Sequence, residues 1–301
     1  MVAKINTFAI NGLEIRPVTV EVDIRLGMPK FEIVGLGSKS VQESKERVIS
    51  AIKNAGFEFP SKSIIVNLAP ADLPKSSPSY DLPIAIGILF SSGQLNAVSN
   101  DYYFWGELSL DSNIRHSSGI LPIAEYLRTK NSLGFFFSLE DKYEASLVKD
   151  LIAYPAATLR EVFEHIENLK LIPKLEIVET WAKSIGNISE IDFSTIRGQG
   201  NAKRAMEIAA AGGHNILLSG TPGSGKSMLA KAMNGILPDM EFEEALEVSK
   251  IYSIAGLLST KSPFITSRPF RKPHHTSSQI SLVGGVSTPK PGEISLAHRG
   301  V

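Results

Sequence analysis

Hydrophobic and polar positions alternate through residues 3–35, in "INTFAI", "EIRPVTVEVDIRLG" and "KFEIVGLG". A period of two puts successive side chains on opposite faces, so these runs predict strands. The period then changes. In "SKSVQESKERVISAIKNAG" the residues Val41, Val48, Ile49 and Ile52 share one face of a helix, Ser40 and Glu43 have capping-box spacing, and Gly56 closes it. "SIIVNLAP" reads as a buried strand, and "SYDLPIAIGILFSSG" as an apolar helix with Pro83 near its start. Strand and helix signals continue to about Leu169, giving one domain of α+β or α/β order without repeats.

Over 171–190, "LIPKLEIVETWAKSIGNISE", the pattern loosens and predicts a linker. "IRGQGNAKRAMEIAAAGG" then reads as a loop and a helix, "HNILLSG" as a short apolar strand, and "TPGSGKSMLAKAMNGIL" as a loop running into a helix. The expected division is therefore 1–170, a linker over 171–190, and a second domain over 191–301. A length of 301 residues leaves room for about two domains.

Composition changes this picture little. The chain is 43% hydrophobic and 21% charged, enough to bury a core. Lys+Arg and Asp+Glu are both 31, so bulk charge selects no partner and any nucleic-acid surface must be local. The lack of cysteine excludes disulfides and thiolate metal sites and fits a reducing compartment. "MVAKINTFAI" has no signal-peptide pattern, and no apolar run approaches membrane-spanning length. The expectation is a soluble, cytoplasmic protein without a membrane partner.

The strongest chemical signal is "GTPGSGKS", which fits G-x-x-x-x-G-K-[ST] at Gly220, Gly225, Lys226 and Ser227 between an apolar strand pattern and a helix. Phosphates need backbone N–H groups aimed inward, and Gly223 and Gly225 let the chain turn with no side chain in the way. The helix N-terminus adds a partial positive charge. The expected ATP contacts are Gly220, Gly223, Ser224, Gly225, Lys226, Ser227 and Met228. Lys226 would reach the β/γ phosphates and Ser227 would ligand Mg²⁺. Hydrolysis also needs an acidic pair, usually at the end of another strand. The acids after Ser227 are Asp239, Glu241, Glu243, Glu244, Glu247 and Glu293, and none follows a buried apolar strand. No catalytic residue is assigned.

Between Glu247 and Glu293 there is no acidic residue, while Lys250, Lys261, Arg268, Arg271, Lys272 and Lys290 lie in the interval. "SRPFRKPHHTSS" concentrates the charge, and Pro269 and Pro273 keep it out of a helix interior. Arg268, Arg271, Lys272, His274 and His275 are the candidate contacts to nucleic-acid phosphates. The alternatives are a solvated charged loop, or cations that meet the nucleotide of a neighbouring subunit. Adjacent histidines rarely share one metal ion, and no carboxylate lies close in sequence.

"IRGQGNAKRAMEIAAAGGHNILLSGTPGSGKSMLA", "RPFRKPHHTSSQISLVGG" and "PKPGEISLAHRGV", with the N-terminal "VNLAPADLPKSSPSYDLPIAIGIL" and "GELSL", resemble the magnesium-chelatase-like AAA+ ATPases of the ComM/YifB family. The resemblance covers essentially the whole chain. It implies a Lon-protease-domain-like (ribosomal protein S5 domain 2-like) α+β domain followed by a P-loop AAA+ α/β domain. It also implies ATP and Mg²⁺ as cofactors, and homo-oligomeric, hexameric rings. The family continues past "SLAHRGV" into a strand ending in the Walker B acids. The resemblance therefore implies that the AAA+ domain is incomplete here, without Walker B, sensors, arginine finger or lid. In the Lon-like fold a catalytic serine follows a Pro-Lys-x-x-Pro-Ser pattern. Ser79 matches it, but Leu121 stands where the activating lysine is expected, so Ser79 is read as a structural turn or cap serine.

Three functions compete: a ComM-like DNA motor module, acting in branch migration during natural transformation; a magnesium-chelatase-like or chaperone-like remodeller of proteins; and a non-enzymatic nucleotide-binding fragment.

Overall fold

The computed structural model describes residues 2–35, 37–130, 132–177, 191–260, 263–285 and 289–301. The chain divides into two compact units, Met1–Val178 with Ser253–Lys261, and Glu179–Tyr252 with Ser262–Val301.

In the first unit the alternating runs form β1 (Ala3–Asn11), β2 (Glu14–Arg25) and β3 (Lys30–Val34). The helix α1 (Lys39–Asn54) follows, then β4 (Ser63–Ala69) and α2 (Asp81–Ser91). Short strands β5 (Tyr102–Phe104), β6 (Glu107–Leu108) and β7 (Ile114–Arg115) lead to α3 (Ile120–Arg128). Then come β8 (Gly134–Ser138), α4 (Lys142–Ala145), β9 (Ala153–Ala156) and α5 (Leu159–Ile166). A seven-stranded sheet has the order β3-β4-β2-β1-β5-β8-β9. β1, β2 and β4 pair antiparallel in series, while β3–β4, β1–β5, β5–β8 and β8–β9 are parallel. The class is mixed α/β with a sheet rich in parallel pairs.

The core follows the hydrophobic pattern. Ile64, Val66 and Leu68 of β4 are fully buried, as are Val41, Val48 and Ile52 of α1. Helix α2 is buried from Asp81 through Leu89, so its apolar character runs all round rather than along one stripe. The expected capping box at Ser40 does not form. Ser38 is the N-cap residue of α1, and the Ser40 hydroxyl instead donates to the carbonyl of Ser76 at 3.0 Å.

The second unit is helical among its described residues. It contains α6 (Gly200–Gly212), α7 (Lys226–Met233), the greater part of α8 (Phe242–Ala255), and the short α9 (Gln279–Val283) and α10 (Glu293–Leu296). Its core joins Ile196, Met206, Ala209, Ala210, Leu229, Ala232 and Met233, with Ile216, Leu218 and Val301 packed partly against it. The strand expected at "HNILLSG" is not formed. Residues 214–220 join no sheet among the described residues, and Leu217 is 90% exposed. A strand needs a ladder partner for its N–H and C=O groups, and the described residues supply none. Of the expected linker, 171–177 is irregular, with the Leu175 amide donating to Ala153. Residues 178–190 lie outside the described residues.

Candidate phosphate-binding site

The loop 220–225 runs directly into α7, with Gly225 as its N-cap residue. Gly223 (φ +81°) and Gly225 (φ +88°) are left-handed, a conformation that side-chain-bearing residues rarely adopt. A Cβ at either position would meet nothing within 4 Å, so the two glycines border open space. The Lys226 side chain folds back onto the loop. Its ammonium donates to the carbonyls of Gly220 (2.8 Å) and Thr221 (2.7 Å) and lies 3.3 Å from the Ser224 hydroxyl. Ser227 and Met228 are exposed in the first turn of the helix. Helical N–H groups at the first turn, glycines without side chains and one lysine ammonium form a donor set suited to a polyphosphate. Among the described residues no group of three or more His, Cys, Asp or Glu could hold a metal by itself. A divalent ion here would lean on Ser227 and on phosphate oxygens.

Sequence reasoning missed Gln199. It is left-handed (φ +59°), it is the N-cap residue of α6, and its side-chain amide lies 3.4 Å from the Ser224 carbonyl. The signal was available as Gly-Gln-Gly immediately before a helix.

The basic stretch divides into two parts. Arg268 is spent internally. Its Nε donates to Pro238 O (2.6 Å), one Nη to Arg299 O (2.6 Å), and the other reaches Glu244 (3.2 Å). Arg271 makes a two-pronged pair with Glu293 at 2.6 and 2.7 Å, which holds the Glu293 carboxyl below the usual range. Glu247 is likewise lowered by Arg299 and His298. Lys272, His274, His275 and Lys290 remain exposed, with the two histidine rings 4.2 Å apart. Both arginines were expected to face phosphates. In the structure each pairs with a carboxylate, Arg268 with Glu244 and Arg271 with Glu293, while the lysines and histidines are exposed.

In the first unit Ser79 is buried inside a short 3-10 turn, Pro78–Tyr80. Its hydroxyl lies 2.8 Å from that of Ser77, and Ser77 is the residue that caps the turn. The cap is therefore Ser77 rather than Ser79. Leu121 is buried at the start of α3, and its amide donates to Glu144 at 2.8 Å. Burial pushes the Glu144 carboxyl up to about 7.

A glycine-cradled loop capped by a lysine and opening a helix defines the second unit as a phosphate-loop domain. The family described as "Magnesium chelatase, subunit ChlI" matches residues 192–301, and "Subunit ChlI of Mg-chelatase" matches residues 20–141. The competence protein ComM of Haemophilus influenzae is 44% identical over 294 residues, covering 96% of this chain and 57% of its own length. The YifB protein of Escherichia coli is 41% identical over 298 residues, covering 99% and 58%. An archaeal Lon protease of Archaeoglobus fulgidus is 49% identical over 49 residues, covering 16% of this chain and 8% of the protease. The chain belongs to the ComM/YifB family of magnesium-chelatase-like AAA+ proteins, with a Lon-protease-like α+β domain ahead of the AAA+ part. It spans 57% and 58% of the lengths of the two family members named. Among the described residues no helix is long and apolar enough to cross a membrane.

Proposed function

We propose that this chain is the ATP-binding part of a ring-forming, ComM-like DNA motor. The observation that carries the reading is the loop 220–225, with its two left-handed glycines and the Lys226 ammonium held on the carbonyls of Gly220 and Thr221. Gly220, Gly223, Ser224, Gly225 and Lys226 would hold the phosphates, Ser227 the Mg²⁺, and Met228 would line the site. Bound there, ATP with its Mg²⁺ supplies a cleavable phosphoanhydride. Glu244, Glu247 and Glu293, which flank the basic stretch, pair with arginines, and hydrolysis is assigned to no residue of this chain. Homo-oligomeric assembly and a cytoplasmic location go with the reading. DNA would meet Lys272, His274, His275 and Lys290. Calorimetry with MgATP tests the site: the 301-residue chain binds, and Lys226→Ala loses at least about a hundredfold in affinity, since two or more charge-assisted hydrogen bonds go. Unchanged binding in the variant sinks the reading.

One observation favours a second reading, a remodeller of proteins. Ile280, Val283 and Ile294 are 67%, 62% and 66% exposed on α9 and α10. An apolar surface suits a polypeptide better than phosphates. Strongly salt-dependent DNA binding by the chain decides for the first reading, and salt-insensitive capture of an unfolded protein for the second.

A further inference from the structure

Helix α7 has two ends with different neighbours. Its N-terminus is the phosphate loop. Its C-terminus is Asn234, which is 9% exposed and ends the helix. The Asn234 side-chain amide donates to the backbone carbonyl of Arg268 at 2.8 Å. The segment that follows α7 grips the same residue again, because Pro238 O accepts from Arg268 Nε at 2.6 Å. From that root the basic stretch continues as a short ladder, in which Val301 N donates to Pro269 O and Arg271 N to Val301 O, both at 2.8 Å. Lys272 and the two histidines lie beyond it, exposed.

Two features make Asn234 more than a filler. A residue selected for packing alone at a buried helix end, beside Met233, would be apolar. Asn234 also leaves its Oδ1 buried with no hydrogen-bond partner among the described residues. An unpaired buried acceptor is costly, and such groups in folded proteins call for an explanation. The second unit therefore keeps a polar side chain that is satisfied on one side only, where the phosphate-loop helix meets the root of the basic stretch. Eight helical residues span about 12 Å, so Lys226 and Asn234 stand at the two ends of one short hydrogen-bonded element.

We propose that Asn234 is a positioning residue that couples occupancy of the phosphate loop to the placement of the basic stretch, through its hydrogen bond to the Arg268 carbonyl. Phosphates draw Lys226 off the Gly220 and Thr221 carbonyls, α7 shifts, and Asn234 exchanges one donor–acceptor arrangement at residue 268 for another that uses its idle oxygen. The ladder of 269–271 with 301 loosens or tightens with it. The inference rests on nucleotide binding at the loop.

Hydrogen exchange of the 301-residue chain tests it, with and without saturating MgATP, read at the Arg271 and Val301 amides. In the unaltered chain the nucleotide changes protection at both by about fivefold, the worth of one hydrogen bond. Asn234→Asp keeps the shape and removes the donor. Asn234→Ala removes both groups. In each, MgATP affinity by calorimetry stays within about threefold, since Asn234 touches no phosphate-loop atom, and the nucleotide response at 271 and 301 disappears. A merely structural asparagine gives a different result: protection falls by the same factor with and without nucleotide, and the response survives. That outcome, or a full response in Asn234→Asp, overturns the proposal. Failure of MgATP to bind the unaltered chain overturns the functional reading itself and is recognised before any variant is made.

Discussion

Two apolar runs of similar composition meet opposite fates. "SIIVNLA" becomes β4, paired with β2 on one side and β3 on the other, with Ile64, Val66 and Leu68 fully buried. "HNILLSG" joins no sheet among the described residues. Ile216 and Leu218 are half-covered by a small core, and Leu217 points into solvent. Local pattern is the same in both, and both read as strands. The difference lies in partners. A strand is a pairing relation before it is a conformation, and an apolar run expresses its propensity only where neighbours take up its backbone groups.

Exchange along the two segments should show the largest contrast. Amides of 64–68 belong to β4, which is paired on both sides within the seven-stranded sheet, and should open only with global unfolding, on the order of 5–15 kcal/mol. Amides of 215–219 should exchange within a factor of about ten of free peptide rates. Equal protection in the two segments would break the comparison. Truncation sharpens it further. Ile64→Ala should destabilise the first unit by about 2–5 kcal/mol, because it opens a cavity among fixed neighbours. Leu217→Ala should stay within about 0.5 kcal/mol, because its side chain gives up no packing. A large loss from Leu217→Ala in a denaturant titration would mean that the segment is held by something other than the small core.

What the sequence made legible follows the same division. The phosphate loop is eight consecutive residues, its glycines dictate their own backbone, and it could be named from the string alone. The strands of 3–35 and the helix at 39–54 were legible because their periods are local. The sheet order was not, since nothing in the pattern of β5 announces that it lies parallel to β1. Nor were the arginine partners. Arg271 finds Glu293 across 22 residues and Arg268 finds Glu244 across 24, so a stretch that looks uniformly basic in sequence is half neutralised in space. The same blindness applied to Ser40, whose hydroxyl is taken by Ser76, 36 residues away, instead of by its own helix.

The smallest expected effect separates the two halves of that basic stretch, and it has to be read in salt dependence. Lys272 and Lys290 are exposed, so if DNA lies on this face each contributes a phosphate contact and the release of counterions. Lys272→Ala and Lys290→Ala should each flatten the slope of log affinity against log salt by roughly 0.9, with the fold intact. Arg268→Ala should behave differently. Its side chain is only 11% exposed and serves Pro238 O, Arg299 O and Glu244. Its loss strands those acceptors and should cost the second unit about 1–3 kcal/mol while leaving the salt slope where it was. The measurement is a DNA titration at several salt concentrations beside a denaturation curve for each variant. A flattened slope at unchanged stability in Arg268→Ala would reverse the assignment. The arginine would then leave its internal partners to meet the phosphates, and the exposed lysines would be the bystanders.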